Sequence, residues 1–128
     1  MQVAIAQINS VLGDFNANRE KILQYVMQAH DRACDLIVFP EAALFGYHPA
    51  DLLERASIAK AQMQEFAKLE KQIPAGIAVL VGLFRPSSHK RGKPFFNSAA
   101  LIIKGKKTKF FDKELLPTYD VLDRKSVV

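Results

Sequence analysis

Among the 128 residues of this chain, Glu41 is the side chain best placed to do chemistry. It stands alone between two apolar stretches, Leu36-Ile37-Val38-Phe39-Pro40 before it and Ala42-Ala43-Leu44-Phe45 after it. A charge in such a setting is costly to bury unless something pairs with it. A desolvated carboxylate has a raised pKa and exchanges protons near neutrality, which is what a general base must do. The mouth of a buried strand is also a common place for chemistry in α/β folds. The plainer alternative is a strand-end glutamate whose head reaches water, and the local pattern taken alone favours it. Lys113, between Asp112 and Glu114, reads by itself as one more exposed lysine. Cys34 is the single cysteine. It excludes an internal disulfide framework, gives no zinc signature, and reads as a small buried hydrophobe rather than an activated thiol. His30 reads as a half-buried packing residue, not a ligand. No metal site is expected, and no Gly-rich phosphate loop occurs.

The elements that must position these residues follow from periodicity. Residues 2–8 alternate, with Val3, Ile5 and Ile8, and predict a first strand. After a turn at Gly13-Asp14, Asn16 or Asn18 can cap a helix running to about Ala33. Its apolar face is Ile22, Leu23, Val26, Met27 and Ala33. The run 36–39 is a buried strand that Pro40 must end, since proline cannot donate to a ladder. Gly46, Tyr47, His48 and Pro49 mark irregular backbone, and Asp51 suits the first turn of a second helix. That helix carries Leu52, Ala56, Ala59, Met63, Phe66 and Ala67 at steps of three or four and ends before Pro74. Strands are predicted at 76–84, 95–103 and from Thr108 to Phe111, with a basic turn over 86–94 and a tight turn at Gly105-Lys106. The order β-α-β-α-β-β-β predicts an α/β fold, a mixed sheet with two helices on one face. Two helices cover one side of five strands. The other face is left wanting a partner, so a homo-oligomer or pairing with another half is expected.

Composition narrows the classes further. The chain is 49% hydrophobic, enough for a real core and too much for a disordered segment. The N-terminus lacks a charged leader and no apolar run could span a bilayer, so a soluble cytoplasmic protein without membrane contact is expected. The net charge of +5 is uneven, with eight Lys and Arg and no acidic residue between Arg85 and Lys109. Basic segments can bind nucleic acid. These sit in two turn-like clusters, His89–Lys93 and Lys104–Lys109, and solvated turns are the better reading.

Taken with Phe-Pro-Glu at 39–41, the stretch Phe110 to Asp123, with Lys113 followed by Leu-Pro, resembles the nitrilase (carbon–nitrogen hydrolase) superfamily. More narrowly, Gly-Tyr-His-Pro-Ala-Asp-Leu-Leu at 46–53 and Leu-Pro-Thr-Tyr-Asp-Val-Leu-Asp at 116–123 are similar to the glutaminase domain of glutamine-dependent NAD synthetases. The resemblance implies the N-terminal half of an α-β-β-α sandwich over residues 1–123, with a divergent tail at 124–128. It implies a Glu-Lys-Cys triad in which Glu41 is the base and Lys113 faces the developing oxyanion, with L-glutamine as the substrate and ammonia passed to the amidation of deamido-NAD. Tyr119 inherits a place in the glutamine pocket. Leu122 stands where the family has a phenylalanine, keeping an apolar wall without the ring.

The same resemblance places the nucleophilic cysteine several dozen residues beyond Lys113, outside this sequence, and Cys34 has the wrong context to replace it. The synthetase domain, with its ATP and magnesium, is likewise expected elsewhere, leaving no cofactor in this segment. Glu41 and Lys113 are expected within salt-bridge or one-water distance of each other. The alternatives are a catalytically inactive nitrilase-like assembly module and a fragment of another small-carboxamide amidase.

Overall fold

The apolar run at 36–39 does form a strand, and it lies inside the sheet rather than at an edge. The computed structural model describes residues 1–46, 56–86 and 95–113. Its elements are β1 (Val3–Ile5), α1 (Phe15–Asp31), β2 (Leu36–Val38), α2 (Ala56–Gln72), β3 (Ala78–Pro86), β4 (Phe95–Ile103) and β5 (Lys109–Lys113). The five strands lie in sequence order. β1, β2 and β3 are parallel, joined through the two helices, and β3, β4 and β5 form an antiparallel meander. This is the mixed sheet that the alternation of periods predicts.

Strand alternation sorts the side chains onto two unlike faces. Ile37, Val79, Val81, Leu83, Ala100 and Ile102 are each no more than 2% exposed. They form one core with Ile22, Val26 and Ala29 of α1 and Phe66 and Leu69 of α2. The Phe66 ring tilts against Phe110 with centroids 5.7 Å apart. On the opposite face Val3, Ile5 and Phe111 are 48%, 76% and 55% exposed. Both helices therefore lie on one side, and the second face is open. No helix among the described residues is long and apolar enough to cross a membrane.

Several boundaries differ from expectation. The α1 cap is Asp14, whose carboxylate accepts from the Ala17 N–H at 3.2 Å. Asn16 and Asn18 lie inside the helix. The helix stops at Asp31, and Ala33 takes a left-handed φ of 61° that no helix continues. Ala29, not Met27 or Ala33, completes the buried stripe of Ile22 and Val26. In α2 Ala67 is exposed, and Leu69, followed by Ile73 just past the helix end, carries the stripe on. β1 is shorter than residues 2–8, and β5 runs on to Lys113. Asp51 and Leu52 lie outside the described residues, as does the basic cluster His89–Lys93. At the other cluster, Lys104, Lys106, Lys107 and Lys109 are exposed around the turn at Gly105, as solvated turn residues would be.

Two buried polar side chains of the helices hold this arrangement in register. Gln62 of α2 is fully buried. Its amide donates to the Phe84 carbonyl at 2.5 Å and accepts from the Phe84 N–H at 2.9 Å. It thus acts as a strand residue beside β3, satisfying a backbone edge that β2 is too short to reach. Arg19 of α1 donates to Glu65, Gln72 and Asn16, each at 2.8 Å, and so clamps the helices together. Hydrogen bonds from Lys68 and then from Arg19 hold the Glu65 carboxyl below its ordinary value.

Replacing Gln62 by Leu keeps the bulk but orphans the Phe84 N–H and carbonyl. We expect a loss of about 2–6 kcal/mol, at about 1–3 kcal/mol for each of the two orphaned groups, read as a lower denaturant midpoint. The Glu65 clamp also predicts a pH dependence. Because the folded pKa is lowered, its stabilisation is complete above the unfolded value near 4.5 and is lost as pH falls through the lower folded value. Thermal melts between pH 6 and pH 3 should show this decline, and Arg19→Met should flatten it.

Candidate functional site

The Glu41 turn is a loop thrown out between two neighbouring rungs of the sheet. The Phe39 N–H donates to the Leu80 carbonyl at 2.9 Å, and the Leu44 N–H donates to the Gly82 carbonyl at 3.0 Å. Pro40, Glu41, Ala42 and Ala43 occupy the space between, bulging over the open face. They can lie there because β3 has no side chain beneath them. A Cβ on Gly82 would stand 2.4 Å from the Ala42 nitrogen and 2.8 Å from the Pro40 oxygen. An isolated glycine inside a strand marks this kind of close backbone approach.

The turn is strained and is held from the other side. Ala42 has φ +57°, a conformation that costs a non-glycine residue about 1–2 kcal/mol. Opposing contacts come from residues 10–18. The Ser10 hydroxyl donates to the Ala43 carbonyl at 2.6 Å, and the Gly13 N–H donates to the Phe45 carbonyl at 3.0 Å. Asn18, 1% exposed, donates to the Leu44 carbonyl at 3.0 Å and to the Val11 carbonyl at 2.8 Å, while accepting from the Val11 N–H. Gly46, at φ +102°, lies so close to Leu12 that a Cβ would stand 2.5 Å from its Cα. The Phe45 ring is packed between Phe15 and Phe84, with centroids 5.2 and 5.4 Å away.

So fixed, Glu41 projects at the rim of a groove of about 360 Å³ on the open face, floored by Leu80, Ala99 and Phe111. Its carboxylate accepts a hydrogen bond from the side-chain amide of Asn97 in β4. The carboxylate is exposed, so the expected desolvation does not occur here. The face over which it stands carries no covering layer among the described residues. Asn97 is paired across the sheet with Phe84 on one side and Lys113 on the other. The backbone at Lys113 and the carboxylate of Glu41 therefore both border Asn97. The Lys113 side chain, Tyr119 and Leu122 lie outside the described residues.

The neighbouring acid, Asp112, borders the same groove, but its carboxylate is held by Ser98 and Arg85. Burial pushes its carboxyl up, but hydrogen bonds from Ser98 and Arg85 outweigh this and hold it below its ordinary value. Arg85 itself stacks over Phe110, 4.7 Å from the ring centroid. One of the eight basic residues of that segment is thus committed to an ion pair. Cys34 is half-buried in a separate groove with Tyr25 and Arg32 and does not line the Glu41 groove. His30 is half-buried, its Nε2 3.1 Å from the Ala75 carbonyl. Among the described residues no three His, Cys, Asp or Glu side chains gather as a metal would require.

Three residues of this site escape pattern reading. Gly82 is lost in an apolar run, although a lone glycine there is itself a signal. Asn97 interrupts an apolar strand, which is the mark of a half-buried amide with a partner. Asn18 carries no local signal for its part in the turn, because its bond to Leu44 spans 26 positions of sequence.

The carbon-nitrogen hydrolase family model matches residues 2–123. A glutamine-dependent NAD(+) synthetase of Synechocystis sp. is 42% identical over 124 residues, taking in 94% of this chain and 22% of the relative. One from Thermotoga maritima is 34% identical over 128 residues, taking in 98% of this chain and 21% of the relative. The chain thus spans about a fifth of the length of these curated relatives. A solved glutamine-dependent NAD+ synthetase from Acinetobacter baumannii, in complex with ADP, superposes with a TM-score of 0.78 at 33% identity, covering 97% of this chain and 23% of that one. An amidase from Nesterenkonia sp. superposes with a TM-score of 0.71 at 20% identity, covering 91% and 43%, a likeness of fold alone.

Gly82→Ala tests the seat of the turn. Alanine in a strand is ordinarily favourable by about 0.5–1 kcal/mol. Here the added Cβ meets backbone, which no rotamer change relieves. We expect a net loss of about 1–3 kcal/mol, with faster amide hydrogen exchange at Leu44, whose N–H donates to Gly82.

Proposed function

This chain belongs to the carbon-nitrogen hydrolase family, and on that premise we propose that it supplies the base-bearing half of a glutamine amidohydrolase site. In the complete protein, hydrolysis of L-glutamine would release ammonia for the ATP-dependent amidation of deamido-NAD. The observation that carries this reading is the meeting of the Glu41 turn and the Lys113 end of β5 at Asn97. A carboxylate and a lysine-bearing strand end both bordering Asn97 support it.

The chemistry assigned to each residue follows from its type. Glu41 takes the proton of a thiol supplied from outside this sequence, and the thiolate attacks the carboxamide carbon. Lys113 offers a cation to the tetrahedral oxyanion. The carboxyl returns its proton to the departing ammonia, leaving a thioester. As carboxylate again, it takes a proton from the water that attacks the thioester carbon, and returns it to the thiolate that leaves as glutamate is released. Tyr119 and Leu122 wall the glutamine pocket. ATP and magnesium belong to residues beyond these. Residues 1–123 make the shared domain portion, and 124–128 depart from it. The open face is closed by the remainder of the domain or by a second copy, which also removes Glu41 from water. We place the protein in the cytoplasm, without nucleic acid or membrane partners.

A chimera tests this reading. Residues 1–123 replace the corresponding segment of the Synechocystis relative, and glutamate release from L-glutamine is measured. The chimera is expected to turn over, and Glu41→Gln should lower kcat by about 10²- to 10⁴-fold. The chain by itself should be inactive, and Cys34→Ser in the chimera should change nothing. An active chimera indifferent to Glu41→Gln would remove the base from this site.

A further inference from the structure

We propose that Asn97 is a positioning residue for Glu41, its amide fixing the direction in which the carboxylate is presented. This rests on the amidohydrolase reading above. The groove floor around Asn97 is apolar, made of Leu80, Ala99 and Phe111. A half-buried amide there is costly without a partner, and its Nδ2 donates to Glu41 Oε1.

The two members of this pair differ in rigidity. Asn97 stands on a strand paired on both sides, to Phe84 and to Lys113. Glu41 stands on a turn and has three side-chain torsions to fix. The turn backbone is set by Gly82, but that contact ends at the main chain and does not itself choose a rotamer for the carboxylate. The amide gives one carboxylate oxygen a donor on a fixed strand. It does so without charge and without titrating, so the same donor is present before and after the base has taken its proton. A donor such as lysine would bias the carboxylate toward its ionised form instead. The distance over which a base works is short, and a misplacement of about 1 Å can cost about 100-fold in rate.

Two measurements test the proposal. In the chain itself, three-bond NMR couplings of the Glu41 side chain should report one dominant conformer, and Asn97→Leu should average them. Asn97→Ser, whose hydroxyl is too short to reach the carboxylate in the same way, serves as a second variant should leucine disturb the strand. In the glutamine-hydrolysing chimera, the same substitutions should lower kcat by about 10- to 100-fold while KM stays within about 2-fold. Glu41 couplings unchanged by both substitutions would overturn the proposal, as would an unchanged kcat. A chimera inactive before any substitution would instead overturn the functional reading. The couplings would then still decide whether Asn97 fixes the carboxylate.

Discussion

The site depends on an absent side chain. The Glu41 turn rests backbone against backbone on β3, and a single methyl group at Gly82 would enter the space of Ala42 and Pro40. Everything else about the turn follows from that approach. Four residues can leave the ladder after Phe39 and rejoin it at Leu44 only because the excursion has somewhere to lie. The left-handed Ala42 is tolerated for the same reason, since the contacts around it leave the chain no other path.

Two side-chain amides, one buried and one half-buried, do the remaining work of holding the turn. Asn18 reaches from α1 to the backbone of Leu44, across 26 positions of sequence. Asn97 reaches from β4 to Glu41, across 56. Each joins segments that the sheet and helices alone would leave to find their own distance. This is how a short stretch of irregular backbone becomes as well defined as the elements beside it, which a general base requires.

Much of the architecture was legible in the sequence. The change from a period of two to a period near 3.6 and back gives the element order. The apolar run at 36–39 with its proline gives the strand that ends at the site. The Phe-Pro-Glu and Lys-Glu-Leu-Leu-Pro segments point to Glu41 and Lys113. What periodicity does not carry is the meaning of a polar residue on a buried stripe. Asn18, Arg19 and Gln62 are polar by type, and a hydropathy pattern places them in water, yet all three are buried. Asn18 and Arg19 have local partners in Val11 and Asn16, but the contacts that join separate elements, to Leu44, Glu65 and Phe84, lie 22 or more positions away, and no local window contains both members. The exposure of Glu41 was equally out of reach, because desolvation depends on what lies over the open face and not on the residues flanking the acid.

The Gln62 amide also has a bearing on which neighbours the sheet can accept. Exposed strand edges recruit strands from other molecules through unpaired N–H and carbonyl groups. At Phe84 those groups are already taken by a side chain that is itself fully buried. An invading strand would find no template there and would have to eject a packed glutamine to make one. Growth of the sheet by addition is thereby turned away from this flank of β3 and directed to its true margins, β1 and β5. One glutamine in a helix thus limits the directions in which copies of this chain could polymerise.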